Sequence, residues 1–197
     1  VARSFDINKP GISPKDLIGG VLGGTVKQGT FKLNDEIEIV PGYMVEEKNK
    51  KVWKPLRTTI TKIFSGGVPV DEIHPGGSMA IATTLDPTIV KSDSLTGSLV
   101  GISGKLPQIY NQISLSTSLL ERVVGIKDEI EVKPLAKGEV LMLNVNSAAT
   151  VGVVTDPSKK NTTCVLKKPI AANPGDRITI SRRVGDRFRL IGYGILK

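Results

Sequence analysis

The chain has 197 residues, with 27 basic and 19 acidic side chains and a formal charge of +8. Its hydrophobic share of 39% and charged share of 23% are those of a globular protein with room for one large or two ordinary cores, and with only 4% aromatic residues those cores must rest on Ile, Val and Leu. One cysteine and one histidine exclude an internal disulfide and a zinc site, and no apolar run approaches the roughly 18–20 residues of a membrane helix.

The opening residues Val1-Ala2-Arg3-Ser4 carry neither an initiator Met nor a signal-peptide stretch, so the chain is expected to be a segment of a longer one. Short strands are predicted over Ala2–Ile7, Gly19–Val26, Glu36–Val40, Lys51–Leu56, Thr58–Phe64, Ser78–Thr84 and Ser98–Ile102. The clearest is Glu36-Ile37-Glu38-Ile39-Val40, which alternates with period two and runs into Pro41-Gly42, a stop signal. The pairs Gly19-Gly20 and Gly23-Gly24 inside an apolar run mark a bend or a close approach of backbone, devices that curl a sheet into a small barrel. Asn8–Ile18, with Pro10, Gly11 and Pro14, is long for a barrel loop, and long loops are usually functional or disordered. Tyr43–Lys51 reads as a charged, solvated hairpin tip, and Leu85–Asp93 holds one helical turn with Asp86 as N-cap and Pro87 in the first turn.

Gly101, Ser103, Gly104 and Pro107 cluster before a new strand series, which places a boundary between domains 1–103 and 104–197. The second series is predicted over Ile109–Leu115, Val123–Leu135 with interruptions, Glu139–Val145, Ala148–Thr155, Thr163–Leu166, Arg177–Ile180 and Arg187–Leu196. Ser114–Glu121 has helical composition, but the alternation of Ile113, Leu115, Thr117 and Leu119 makes it a strand. Strand spacing with no sustained helical period predicts an all-β chain of barrels or sandwiches. Cys164 reads as a small buried hydrophobe in a reducing cytosol, and Asn161-Thr162-Thr163 as an accidental glycosylation match.

Charge is unevenly spread. Residues 1–103 are net +1, residues 104–158 net −1 and residues 159–197 net +8, so the whole excess sits at one end and calls for a polyanion. Its carriers are Lys159, Lys160, Lys167, Lys168, Arg177, Arg182, Arg183, Arg187 and Arg189, the candidate RNA-backbone contacts. In Arg187-Phe188-Arg189 the alternation predicts both arginines on one outward strand face.

No active site is legible, so the chain is read as no enzyme. His74 stands alone in the turn His74-Pro75-Gly76-Gly77. Gly104-Lys105 mimics the end of a phosphate loop, but Leu99 and Leu106 occupy positions where such a loop needs Gly and Ser or Thr. A barrel enzyme or carrier would need convergent polar groups in a deep pocket, and no residues suggest one.

The wording of Gly19–Gly42 resembles the second domain of translational GTPases such as elongation factor Tu. With Arg3–Gly11, His74–Gly77, Leu85–Thr88, Leu119–Gly125, Gly138–Val145, Ser181–Gly185 and Arg189–Gly194, nearly the whole chain resembles one family, the gamma subunit of archaeal and eukaryotic translation initiation factor two. The resemblance implies two consecutive small antiparallel β-barrels of the domain II and domain III type. It implies a GTP- and Mg-binding domain upstream of these residues, so that the segment itself needs no cofactor and neither binds nor hydrolyses GTP. The implied partners are initiator methionyl-tRNA, the alpha subunit through the second domain, the beta subunit only through the GTP domain, and small-subunit ribosomal RNA, in the cytoplasm. By motif match, the tRNA 3′-end pocket comprises Arg3, Phe5, Ile7, Gly20, Val21, Gly23 and Val26, with Gly77, Ala80 and Thr83 on a neighbouring strand. The related alternative is a tRNA-delivery elongation factor, general or selenocysteine-specific.

Overall fold

The computed structural model describes residues 1–48, 50–125, 130–158 and 160–197, with Lys50 described in its backbone alone. It divides into two compact units, Val1–Leu106 and Pro107–Lys197. Both are built almost wholly of antiparallel strands, so the all-β expectation holds.

In the first unit, β1 (Arg3–Phe5), β2 (Val21–Thr25), β3 (Phe31–Lys32), β4 (Glu36–Glu47), β5 (Lys50–Ser65), β6 (Val68–Val70), β7 (Glu72–Ile73) and β8 (Ser78–Thr83) precede a four-residue helix α1 (Pro87–Val90) and β9 (Leu99–Ile102). The main sheet runs β1-β2-β8-β5-β4-β9, with β6 on β5, while β3 and β7 form a separate ribbon. Val1 donates to the Ser98 carbonyl at 2.8 Å and accepts from the Gly97 amide at 2.9 Å, which brings the two ends of the sheet together. Period-two alternation sends Leu22, Ile37, Ile39 and Ile81 inward to an aliphatic core, and a register shift between Ile60 and Lys62 lets both Ile60 and Ile63 join them. Asp86 caps α1 as predicted, its Oδ1 accepting from the Thr88 amide at 2.8 Å.

The Pro41-Gly42 stop does not end its strand. The pairing register of β4 with β5 shifts between Ile39 and Tyr43 and then resumes, because the extra residues are absorbed as a bulge. Gly42 makes this possible: its φ is +86°, and a Cβ there would lie 1.8 Å from the Lys54 carbonyl oxygen. Beyond the bulge Met44 pairs with Trp53 and Val45 with Val52, so the expected hairpin tip is a two-stranded arm. Lys51–Leu56 and Thr58–Phe64 accordingly belong to one continuous strand, β5.

The second unit is a closed six-stranded barrel in the order β10-β13-β12-β11-β14-β15. Its strands are β10 (Gln108–Leu119), β11 (Val140–Val145), β12 (Ala148–Pro157), β13 (Asn161–Ala172), β14 (Arg177–Val184) and β15 (Arg187–Leu196). Ile113, Leu115, Leu141, Leu143, Ile178, Ile180 and Ile191 fill the interior, and Cys164 is buried among them. Burial pushes the Cys164 thiol up to about 11. The predicted strand over Val123–Leu135 is instead a loop crossing the barrel end, tied by a bridge between Arg122 and Glu131; residues 126–129 of that prediction lie outside the described ones.

Candidate functional site

Register decides which of the predicted pocket residues share a face. Across β1, β2, β8 and β5 the rows Arg3–Gly23–Ala80–Phe64 and Phe5–Val21–Ala82–Lys62 lie on one side of the sheet, while Ser4, Leu22, Ile81 and Ile63 lie on the core side. Arg3, Phe5, Gly23 and Ala80 thus come together on the outward face. Gly23 is its lowest point: the nearest atoms a Cβ there would meet are Arg3 Cβ at 3.7 Å, the Met79 oxygen at 3.8 Å and Phe5 Cε1 at 3.8 Å. The result is a shallow slot with a main-chain floor beside an exposed aromatic ring.

Other members of the predicted pocket do not line this slot. Val26, 7% exposed, belongs to the core cluster, because β2 has ended and the chain turns inward there. Val21 is on the right face but only 5% exposed. Gly20 faces the core, where a Cβ would lie 2.5 Å from Val90 Cγ1. Thr83 also points inward, donating to the Gly20 carbonyl at 2.7 Å and accepting from the Leu85 amide. Ile7 lies exposed beyond the end of β1, and Gly77 in an open turn before β8.

Three residues of the slot escaped sequence reading. Phe64 and Lys62 flank it from β5, and the period-two pattern of Ile60–Ser65 is disturbed by a register shift between Ile60 and Lys62, which hides them. The third is Asp93, whose carboxylate accepts from Arg3 Nε at 2.9 and 3.0 Å and from the Ser4 amide at 3.0 Å. Asp93 and its neighbour Ser92 both hold positive φ, of 56° and 57°. The Arg3 hydrogen bond, followed by the Ser4 amide, holds the Asp93 carboxyl below its ordinary range.

The long loop is ordered by one side chain. Asn8 donates to the Ile18 carbonyl at 2.7 Å and accepts from the Ile18 amide at 2.7 Å, pinching Asn8–Ile18 into a closed loop with a helical turn over Pro14–Asp16. Ile12, Leu17 and Ile18 are exposed on it.

On the second unit, Lys160, Lys167, Arg177, Arg183 and Arg187 are exposed, and Lys159 lies outside the described residues. Lys168 is half-buried, and burial lowers its ammonium pKa. Arg182 does not face solvent: its side chain is 19% exposed, bonds the Glu139 carboxylate through Nε and Nη2, and donates to the carbonyls of Lys133 at 2.8 Å and Pro134 at 3.2 Å. It fastens the barrel-end loop and leaves no donor fork for phosphate. The predicted pair of Arg187 and Arg189 does not share the outer face of the sheet, although Arg187, at the start of β15, is exposed and Arg189 half-buried. Arg187 pairs with Val184 and Arg189 with Arg182, on the side where Val184 packs against the core. The register shift between Ile180 and Ser181 turns Phe188 outward in their place, opposite Arg183. Farther along the same face the Arg177 guanidinium sits 4.5 Å over the Tyr193 ring.

Among the described residues no three His, Cys, Asp or Glu side chains gather as a metal would require, and no helix is long and apolar enough to cross a membrane.

A family model described as initiation factor eIF2 gamma, C terminal, matches residues 111–196. The gamma subunit of translation initiation factor 2 from Methanocaldococcus jannaschii is 55% identical over 197 residues, covering all of this chain and 48% of the relative. The corresponding subunits of Methanothermobacter thermautotrophicus and Pyrococcus horikoshii are 50% and 48% identical with the same coverage. The chain therefore spans about half the length of these curated relatives. The fold is also similar to the crystal structure of translation elongation factor SelB from Methanococcus maripaludis, with a TM-score of 0.66 at 17% identity over 99% of this chain and 41% of that one.

Proposed function

This chain belongs to the gamma-subunit family of translation initiation factor 2, and from that premise we propose that its first unit holds the aminoacylated 3′ end of initiator methionyl-tRNA while its second meets RNA backbone. The observation that carries the reading is the row Arg3–Gly23–Ala80–Phe64, a floor without large side chains between a guanidinium and an aromatic ring. Unpaired RNA ends are recognised by splaying a base into such a slot and bonding its sugar hydroxyls. Arg3, already aimed by Asp93, keeps its terminal nitrogens for a phosphate or carbonyl. The exposed cations of the second unit add a sequence-independent attraction, and RNA of the small ribosomal subunit is their natural target.

The pinched loop Asn8–Ile18 and the β4–β5 arm, with Met44 and Val52 exposed, offer apolar surface for the alpha subunit, whereas the beta subunit docks on the nucleotide domain of the full-length factor. These residues neither bind nor hydrolyse GTP, and they work in the cytoplasm. The elongation-factor reading is weaker. It rests on a fold likeness at 17% identity, against 55% for an initiation-factor subunit.

The test is tRNA binding by the purified chain, followed by anisotropy between about 50 and 200 mM salt. If Lys160, Lys167, Arg177, Arg183 and Arg187 each meet a phosphate, the log–log slope is about −3.5 to −4.5, and adding GTP leaves the curve unchanged. A flat salt response, or an affinity that rises with GTP, overturns the proposal.

A further inference from the structure

We infer that the outward face of β14, β15 and the end of β10 is a binding site for unpaired RNA, in which Phe188 stacks on a base. The inference rests on the reading that the second unit meets RNA, and it adds which form of RNA and which contact.

Three observations support it. The first is the placement of Phe188. Bulging at Ile180/Ser181 sets this ring on the solvent side of the sheet, 37% exposed, directly across from Arg183. An apolar ring more than a third exposed, with an arginine as its cross-strand partner, contributes little to the barrel core, which lies on the other side of the strand. The second is the chemistry of the surrounding face. The residues that share it by pairing are Arg177, Thr179, Ser181 and Arg183 on β14, Leu190, Tyr193 and Ile195 on β15, and Ser116 and Ser118 on β10. None of them is a carboxylate. On a chain with 19 acidic side chains, a face of arginines, hydroxyls and apolar side chains without a carboxylate suits an unpaired polyanion that offers both phosphates and base faces. The third is the spacing. Arg177 over Tyr193 and Arg183 opposite Phe188 stand at the two ends of the face, about 16–20 Å apart for five or six residues of extended strand. Phosphate contacts can therefore be made on both sides of a stacked base.

A double helix cannot use this arrangement. Its bases are already stacked, and its A-form major groove is too deep and narrow for a side chain to enter. An unpaired strand offers free base faces, and base–aromatic stacking combined with arginine contacts is the recurrent way of holding one without reading its sequence. The alternative occupant, a protein segment laid on Phe188 and Leu190, would gain nothing from the two arginines at the ends of the face, whereas Asp176 and Asp186 lie at its margins and not on it.

The experiment uses the whole chain with a fluorescein-labelled unpaired 12-mer RNA and a blunt duplex of equal length, in wild type, Phe188→Leu and Arg183→Gln. Leucine keeps the apolar bulk and removes the ring, so the variant folds if the ring is not core. Phe188→Leu is expected to weaken unpaired RNA about tenfold while leaving duplex affinity and the salt slope unchanged. Arg183→Gln is expected to weaken both RNAs and to reduce the slope for the unpaired strand by about 0.7. Equal binding of the unpaired RNA by Phe188→Leu and wild type overturns the stacking contact alone, provided the arginine variant still loses affinity. Failure of wild type to bind either RNA overturns the stacking contact and the RNA reading of the second unit together.

Discussion

Arg3 and Asp93 show how a single ion pair can anchor the edge of a sheet and hold a guanidinium beside an open slot. The pair sits at the sheet edge and anchors β1 through the Arg3 side chain and the Ser4 amide, both bonded to one carboxylate. Because these bonds lower the folded-state pKa of Asp93, their contribution is present above the unfolded value near 3.9 and is lost as pH falls through the folded value. Asp93→Asn should therefore start less stable at neutral pH and lose less than wild type between about pH 5 and the acid end, as read from urea melts across that range. Parallel stability curves for the two proteins would remove Asp93 from the account. Gly23 works differently, since its φ is unremarkable and its nearest neighbours stand 3.7 Å or more from a built Cβ. Open space above the sheet, not backbone strain, is what this glycine provides. Its membership of the pocket was legible only through the motif match, the glycine run itself marking a bend or close backbone approach, and Asp93 was not legible, because it lies 90 residues from Arg3.

At the level of elements, Arg182 and Glu139 join β14 to the segment that crosses the barrel end. The two side chains are 19% and 17% exposed, and Arg182 also satisfies two carbonyls, so cutting the pair leaves a largely buried carboxylate with the Ala136 amide as its remaining donor among the described residues and frees the loop carbonyls. Arg182→Ala is expected to cost about 2–3 kcal/mol in chemical denaturation, with RNA affinity at saturating folded protein unchanged. Arg182→Lys should not restore stability, since one ammonium cannot reach a carboxylate and two carbonyls at once. A variant with wild-type stability and weakened RNA binding would return Arg182 to the RNA surface. Elements were only partly legible for a consistent reason. Alternation in Glu36–Val40 and in Ile113–Leu119 distinguished inside from outside, because each side chain answers to its own burial. Bulges at Pro41–Gly42 and at Ile180/Ser181 were invisible, because they depend on where the partner strand continues pairing. The second bulge alone exchanged the predicted outward arginines for Phe188.

For the whole molecule, the all-β class and the family were plain in the sequence. Turn-punctuated alternation forces antiparallel strands, and many wording blocks occur in one order, while a family model and relatives at 48–55% identity agree. The excess of basic charge was equally plain at the level of composition, although geometry withdraws Arg182 from it. The central claim is that the slot around Gly23 receives the end of a charged tRNA. Its most direct measurement compares initiator methionyl-tRNA with the same tRNA lacking the terminal adenosine, at one salt concentration, for wild type and Gly23→Leu. Wild type should prefer the intact end by about fivefold or more, as expected for one lost stacked base, and Gly23→Leu, with the floor filled, should bind both tRNAs alike. Equal binding of the two tRNAs by wild type, or a preference that survives Gly23→Leu, would contradict it.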